Sequence, residues 1–106
     1  MQVFMRRLKM SMDVKKIKTY IGFAKKSGSI IYGIDALCVK RTDLMYLSNL
    51  LSLSSRDKCL NTANKNKTKV FVVEQEIIDE ITSSTNIKAF GIKNKQLSNA
   101  IQNCQE

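Results

Sequence analysis

The run Val70-Phe71-Val72-Val73 restricts the fold more than any other stretch of this chain. Four successive apolar side chains give no alternation between an inside and an outside face. A strand of that kind buries both faces, so it belongs inside a sheet covered by helices on both sides. The rest of the sequence supplies those helices. Asp13 can accept hydrogen bonds from the free amides that begin a helix. Val14, Ile17, Ile21 and Ala24 then recur at helical spacing as one apolar stripe, with Lys15, Lys16 and Lys18 off it. Lys25 and Lys26 fall in the last turn, where the helix dipole favours cations, and Gly28 is placed for the left-handed residue that closes a helix.

The same signals alternate to the end of the chain. Ser29 to Tyr32 reads as a short strand that Gly33 breaks, and Ile34 to Arg41 has the composition of a short helix. Leu44 to Leu47 is an apolar run of strand length. Ser54 or Ser55 can cap a helix running to Lys65, with Cys59, Leu60 and Ala63 on one face. Glu74 and Glu76 stand where a helix N-terminus prefers anions, and Ile77, Ile78 and Ile81 give that helix its buried side. A loop at Thr82 to Asn86 leads to a strand from Ile87 to Ile92. Asn94 caps a final helix whose stripe is Leu97, Ala100, Ile101 and Cys104. Phe23 flanks the first stripe and is expected in the core. Leu50, Leu51 and Leu53 are expected in the core as well; if exposed, they would form an apolar patch suited to a partner. The alternation predicts an α/β fold, a three-layer α-β-α sandwich with a four-stranded mixed sheet. At 106 residues the chain reads as a basic N-terminal arm, residues 1–12, followed by a single domain, residues 13–106.

Charge speaks of partners. Lys and Arg number 18 against 9 Asp and Glu, a formal charge of +9 that suits nucleic acid or an anionic membrane surface. Arg6, Arg7, Lys9, Lys15, Lys16, Lys18, Lys25 and Lys26 crowd the first quarter, whereas Glu74, Glu76, Asp79 and Glu80 share one short helix. Such polarisation favours a nucleic-acid partner over a merely solvated surface. The chain has no His, and Cys38, Cys59 and Cys104 are too far apart for a CxxC pair or a metal spacing. The usual general base, zinc ligand and partner for a nucleophilic thiol are all missing, so no enzyme, no metal and no cofactor are expected. Free thiols fit a reduced, cytoplasmic setting. No apolar run approaches the length needed to span a bilayer, and no secretory signal follows the basic start.

The segments "IGFAKKSGSIIYGIDAL", "LMYLS", "KVFVV" and "AFGIKNKQLSNAI", in this order and spacing, resemble the ribosomal protein L-seven-Ae / L-thirty-e family, most closely its small bacterial YlxQ/YbxF-like members. The likeness spans roughly residues 14–102. It implies an α-β-α sandwich without catalysis that binds structured RNA of the kink-turn type, as a monomer and in ribosomal or other ribonucleoprotein settings. It also implies an RNA surface of two parts. The first is the glycine turn Gly33-Ile34-Asp35 into the second helix, preceded by Lys25, Lys26 and Gly28, with Lys26 and Lys40 available to phosphate. The second is the loop containing Ser83, Ser84 and Thr85. The resemblance has departures. Where kink-turn binders carry Asn-Glu to read guanine edges, this chain has Asp35-Ala36, so one acceptor is gone and Asp35 cannot donate as Asn does. Val39 stands where a basic residue is expected, one position before Lys40. Asp79 and Ser83 replace glycines, and Leu50-Leu51-Ser52-Leu53-Ser54-Ser55 replaces a polar signature. These departures favour an alternative reading, a protein-interaction module on the same scaffold with the specific RNA site lost.

Overall fold

Strand β4 (Lys69–Val73) is paired on both edges and buried on both faces, as its apolar run requires. The computed structural model describes residues 3–5 and 13–105. In chain order the elements are β1 (Val3–Met5), α1 (Val14–Ser27), β2 (Ile30–Tyr32), α2 (Ile34–Val39), β3 (Leu44–Ser48), α3 (Leu53–Asn66), β4, α4 (Gln75–Thr82), β5 (Ala89–Ile92) and α5 (Lys95–Gln105). The sheet order is β1-β4-β3-β5-β2. Strands β1 and β3 run parallel to β4, and β5 is antiparallel to β3 and β2, so the sheet is mixed. The expected four strands are β2 to β5. A fifth, β1, lies beside β4 in the register Val3 to Val70. It falls within the stretch read as a basic arm; residues 1–2 and 6–12 of that arm lie outside the described residues.

The period of two along the strands sorts the core into two layers. Leu44, Tyr46, Phe71, Val73, Phe90 and Ile92 face α1, α4 and α5 and pack with Ile17, Ile21, Ile78, Ile81 and Ile101. Tyr46 stacks on Phe90 at 5.2 Å between ring centroids. Met45, Leu47, Val70, Val72 and Ala89 face the other way, onto Leu37 of α2 and Cys59 and Ala63 of α3. Gly91 belongs to this second face, where a side chain would run into Leu37 and Thr42.

The caps follow local chemistry. The Asp13 carboxylate accepts from Lys16 N–H at 3.1 Å, and Asn94 Oδ1 accepts from Leu97 N–H at 3.0 Å. Helix α3 starts earlier than the serines suggested, with Ser52 accepting from Ser55 N–H at 3.2 Å. Gly28 closes α1 at φ 71, with Ser29 N–H donating back to Ala24 O at 2.8 Å. The same turn closes α3, but Lys67 takes the left-handed position at φ 56, with Thr68 N–H donating to Ala63 O at 2.8 Å.

Because β5 is antiparallel to both neighbours, its two ends define the two ends of the sheet. At the Ala89 end the chain turns from β2 into α2, from β3 into α3 and from β4 into α4. At the Ile92 end α1 passes into β2, α2 into β3, α3 into β4 and β5 into α5.

Candidate nucleic-acid interface

Gly33 stands at φ 93, ψ 152, a conformation open almost only to glycine. Its N–H donates to Ala89 O at 3.0 Å, which pins the turn to the start of β5, and its carbonyl accepts from Leu37 N–H at 3.1 Å to open α2. No Cβ neighbour lies within 4 Å, so the glycine is needed for its backbone angle rather than for space inside the protein. Ile34 is half-buried against the α2–α3 layer, and Asp35 is exposed in the first turn of α2.

The second part of the expected surface begins where α4 ends. Ser83 holds the left-handed position at φ 57, which is where the family resemblance implies a glycine, and Ser84 N–H donates to Asp79 O at 3.3 Å. Ser83 and Thr85 are exposed and Ser84 is half-buried. Lys25 reaches from α1 to donate its ammonium to the carbonyl of Thr82. Gln75 Nε2 donates to Ile87 O at 2.7 Å and to Asp79 Oδ1 at 2.8 Å. The connection from Ser83 to Lys88 is therefore held at one end by Lys25 and at the other by Gly33, through Ala89. The fold thus brings the glycine turn and the serine loop onto one connection. Lys25 enters as a tether between helices, its ammonium already engaged.

Other residues read from the sequence lie elsewhere. Gly28 closes α1 at the Ile92 end of the sheet, where Lys93 N–H donates to Ser29 O at 2.7 Å. Lys26 is exposed in the turn before it. Lys40 follows α2 and precedes Asp43, whose N–H donates to Ile92 O at 2.8 Å. Lys26, Gly28 and Lys40 are thus gathered at the Ile92 end, while Gly33, Ile34 and Asp35 stand at the Ala89 end. A short β2 and an α2 of 6 residues are enough to separate them.

The Ala89 end is poor in net positive charge. Glu74, Gln75, Glu76 and Asp79 line an open groove with Asn49 and Leu50, and Asp35 stands at the same end, in the turn after Gly33. Lys88 and Arg56 are the cations of the adjoining segments. Among the described residues no group of His, Cys, Asp and Glu could hold a metal ion. Burial pushes the Cys59 thiol up to about 11, helped by Cys38 beside it. Burial also raises Cys104, with Asp13 adding to the effect and Lys16 opposing it. Both thiols are protonated at neutral pH, unlike an activated nucleophile.

Two side-chain expectations are corrected. Phe23 is 52% exposed and meets the edge of Tyr20, at 6.3 Å between centroids, because its position falls off the Ile17–Ile21–Ala24 stripe. Leu50 and Leu53 are 63% and 72% exposed, since the β3–α3 turn carries them past the edge of the core; Leu51 alone packs against it. Arg41, Lys67, Lys93 and Lys95 were not among the residues expected to meet RNA. Their common signal is position, each at or beside a junction between a helix and a strand.

No protein-family model matches the chain, and no curated protein sequence does. Solved structures match. A Bacillus halodurans C protein of unknown function aligns with a TM-score of 0.68 at 17% identity, over 82% of this chain and 93% of that one. The Giardia lamblia 15.5kD RNA binding protein aligns with a TM-score of 0.65 at 7% identity, over 92% of this chain and 87% of its own. At such identities the likeness is one of fold. The α-β-α sandwich that the sequence resemblance implied is the fold this chain shares with the Giardia protein. Among the described residues no helix is long and apolar enough to cross a membrane.

Proposed function

We propose that this is a non-catalytic RNA-binding protein of the cytoplasm, monomeric, which takes structured RNA of the kink-turn type through a basic face, in association with ribosomal or similar RNA. The observation that carries the reading is the shared fold with an RNA-binding protein over 92% of the chain, in a molecule whose formal charge is +9. The physics is consistent. Phosphate contacts supply most of the affinity of a basic protein for nucleic acid, and base or shape contacts supply selection. Gly33 at φ 93 keeps the α2 turn free of a side chain, and the serine loop, on the connection that ends at Ala89 where Gly33 is bonded, adds hydroxyls. With Asp35-Ala36 in place of an Asn-Glu pair, guanine edges lose partners, so shape carries more of the selection.

Fluorescence anisotropy with a labelled kink-turn RNA and an unrelated hairpin of equal length tests this. The expected result is tighter binding to the kink-turn, with an affinity that falls steeply as salt rises. Equal and weak binding of both at physiological salt refutes the kink-turn reading, and no binding to either refutes RNA binding.

A second reading, a protein-interaction module, is favoured by the exposed Leu50 and Leu53 beside the acidic groove of Glu74, Glu76 and Asp79. A basic apolar segment would suit that surface. Light scattering that finds a sharp monomer removes self-association through these leucines.

A further inference from the structure

We infer that RNA phosphates are gripped at the Ile92 end of the sheet, opposite the Gly33 turn, by cations at the helix–strand junctions. The inference rests on the RNA-binding reading above and names the surface that serves it.

The junctions at that end share one chemistry. Lys26 ends α1, Lys40 and Arg41 join α2 to β3, Lys67 closes α3, and Lys93 and Lys95 lead from β5 into α5. All six side chains are exposed. Hydrogen bonds lock these junctions to one another. Lys93 N–H donates to Ser29 O at 2.7 Å, Asp43 N–H to Ile92 O at 2.8 Å, and the Thr68 hydroxyl to Thr42 O at 2.7 Å. The cations therefore project from a braced surface of short turns, and presenting them costs little backbone ordering.

A simpler account is that these cations only neutralise helix C-termini. Three helices, α1, α2 and α3, end here, and each end carries roughly half a unit of negative charge. Together the three ends carry about 1.5 units, and Asp43 adds one carboxylate. Against the six cations this leaves a surplus of about three to four positive charges, reinforced by the N-terminus of α5. The opposite end has no such surplus: with the first turns of α1 and α3 included, Asp13, Asp35, Asp57, Glu74, Glu76, Asp79 and Glu80 are set against Lys15, Lys16, Lys18, Arg56, Lys58 and Lys88. A polyanion meets attraction at the Ile92 end and little net attraction at the other. The basic face is thus separate from the Gly33 turn that the family resemblance points to, whereas the serine loop begins at Thr82, beside Lys25 and so next to Lys26. The occupant is a nucleic-acid backbone, whose regularly spaced phosphates match a row of junction cations better than a single small anion would.

The test uses the full chain, the kink-turn RNA and the hairpin, over a salt series. The double variant K40Q/R41Q removes two cations without touching a buried side chain. It is expected to weaken RNA binding about tenfold near physiological salt and to reduce the salt slope by about one for each phosphate no longer neutralised. K67Q/K93Q is expected to do the same. The control R56Q/K88Q, at the other end, is expected to change affinity by less than about twofold. Circular dichroism melts confirm that the variants fold. If wild type binds RNA and the Ile92-end variants bind as well as wild type, or weaken no more than the control, the inference falls and the RNA-binding reading stands. If wild type binds neither RNA, both fall. Anionic vesicles are run beside the RNA; binding to vesicles alone assigns the face to a membrane surface and overturns the inference.

Discussion

Replacing Gly91 by alanine tests the packing of the α2 layer on the sheet. A Cβ at this position would stand 2.7 Å from Thr42 Cγ2, 2.8 Å from Leu37 Cδ2 and 3.1 Å from Thr42 Cβ. Carbon atoms pack best at about 3.5–4.0 Å, so roughly an ångström of overlap must be relieved. Little can give. Strand β5 is paired on both sides, to β3 and β2. Leu37 is fully buried, Thr42 is 3% exposed, and the Thr42 carbonyl is held by the Thr68 hydroxyl at 2.7 Å. Overpacking of this kind costs about 1–3 kcal/mol, which in a domain of this size lowers the melting temperature by roughly 4–8 °C per kcal/mol. Urea and thermal unfolding followed by circular dichroism read it directly. Thr42→Ser removes the nearest offending methyl, so Gly91→Ala and Thr42→Ser together should destabilise less than the sum of the single changes, by an amount on the order of 1 kcal/mol. If Gly91→Ala lies within about 0.5 kcal/mol of wild type, or the two effects add within about 0.3–0.5 kcal/mol, then the close approach of α2 to β5 is not what requires glycine here.

Further outcomes follow from single groups. Lys67→Gly relieves a left-handed lysine at φ 56 and should raise stability by a few tenths to about 1 kcal/mol, since the strain removed exceeds the added freedom of the unfolded chain; an unchanged or lowered urea midpoint contradicts this. Lys25→Met leaves the buried Thr82 without the ammonium on its carbonyl and should cost about 1–3 kcal/mol, seen as faster hydrogen exchange at the end of α4; exchange identical to wild type would show the tether to be idle. Cys59 should resist a thiol reagent at pH 8 until the protein is unfolded, because the side chain is fully buried and its thiol is protonated. Its raised ionisation also gives a sign. An unfolded cysteine ionises near 9.0 while the folded Cys59 holds its proton to about 11. The full contribution is present below pH 9, and stability drains as the pH climbs through that window. Cys59→Ala should flatten that alkaline loss relative to wild type, and parallel stability–pH curves for the two proteins would rule the effect out.

The elements from α1 to α5 and their layers were legible in residue order alone. Asp13, Gly28 and Asn94 act locally, on amides and carbonyls within a turn of themselves, so their roles were readable without any knowledge of the fold. The unbroken run Val70–Val73 carried one tertiary fact, burial on both faces, because no other environment stabilises four consecutive apolar side chains in a strand. Local rules failed where a neighbour from elsewhere in the chain decides. Strand β1 has 3 residues and no turn signal, and it exists as a strand only because β4 offers it an open edge. Phe23 and Leu53 have core-like side chains but fall outside the stripes that the sheet covers. Lys25, read as a free cation beside a glycine, is spent on the Thr82 carbonyl 57 residues away. The largest decision belongs to topology. Gly33 and Lys40 are close in sequence and were read as one surface, yet α2 runs from one end of the sheet to the other and parts them. The same chain reversals bring Lys26, Lys67 and Lys93 from distant stretches to the Ile92 end. Charge and residue type are written in the sequence, whereas the face on which the charge accumulates depends on strand order and direction, which only long-range packing sets.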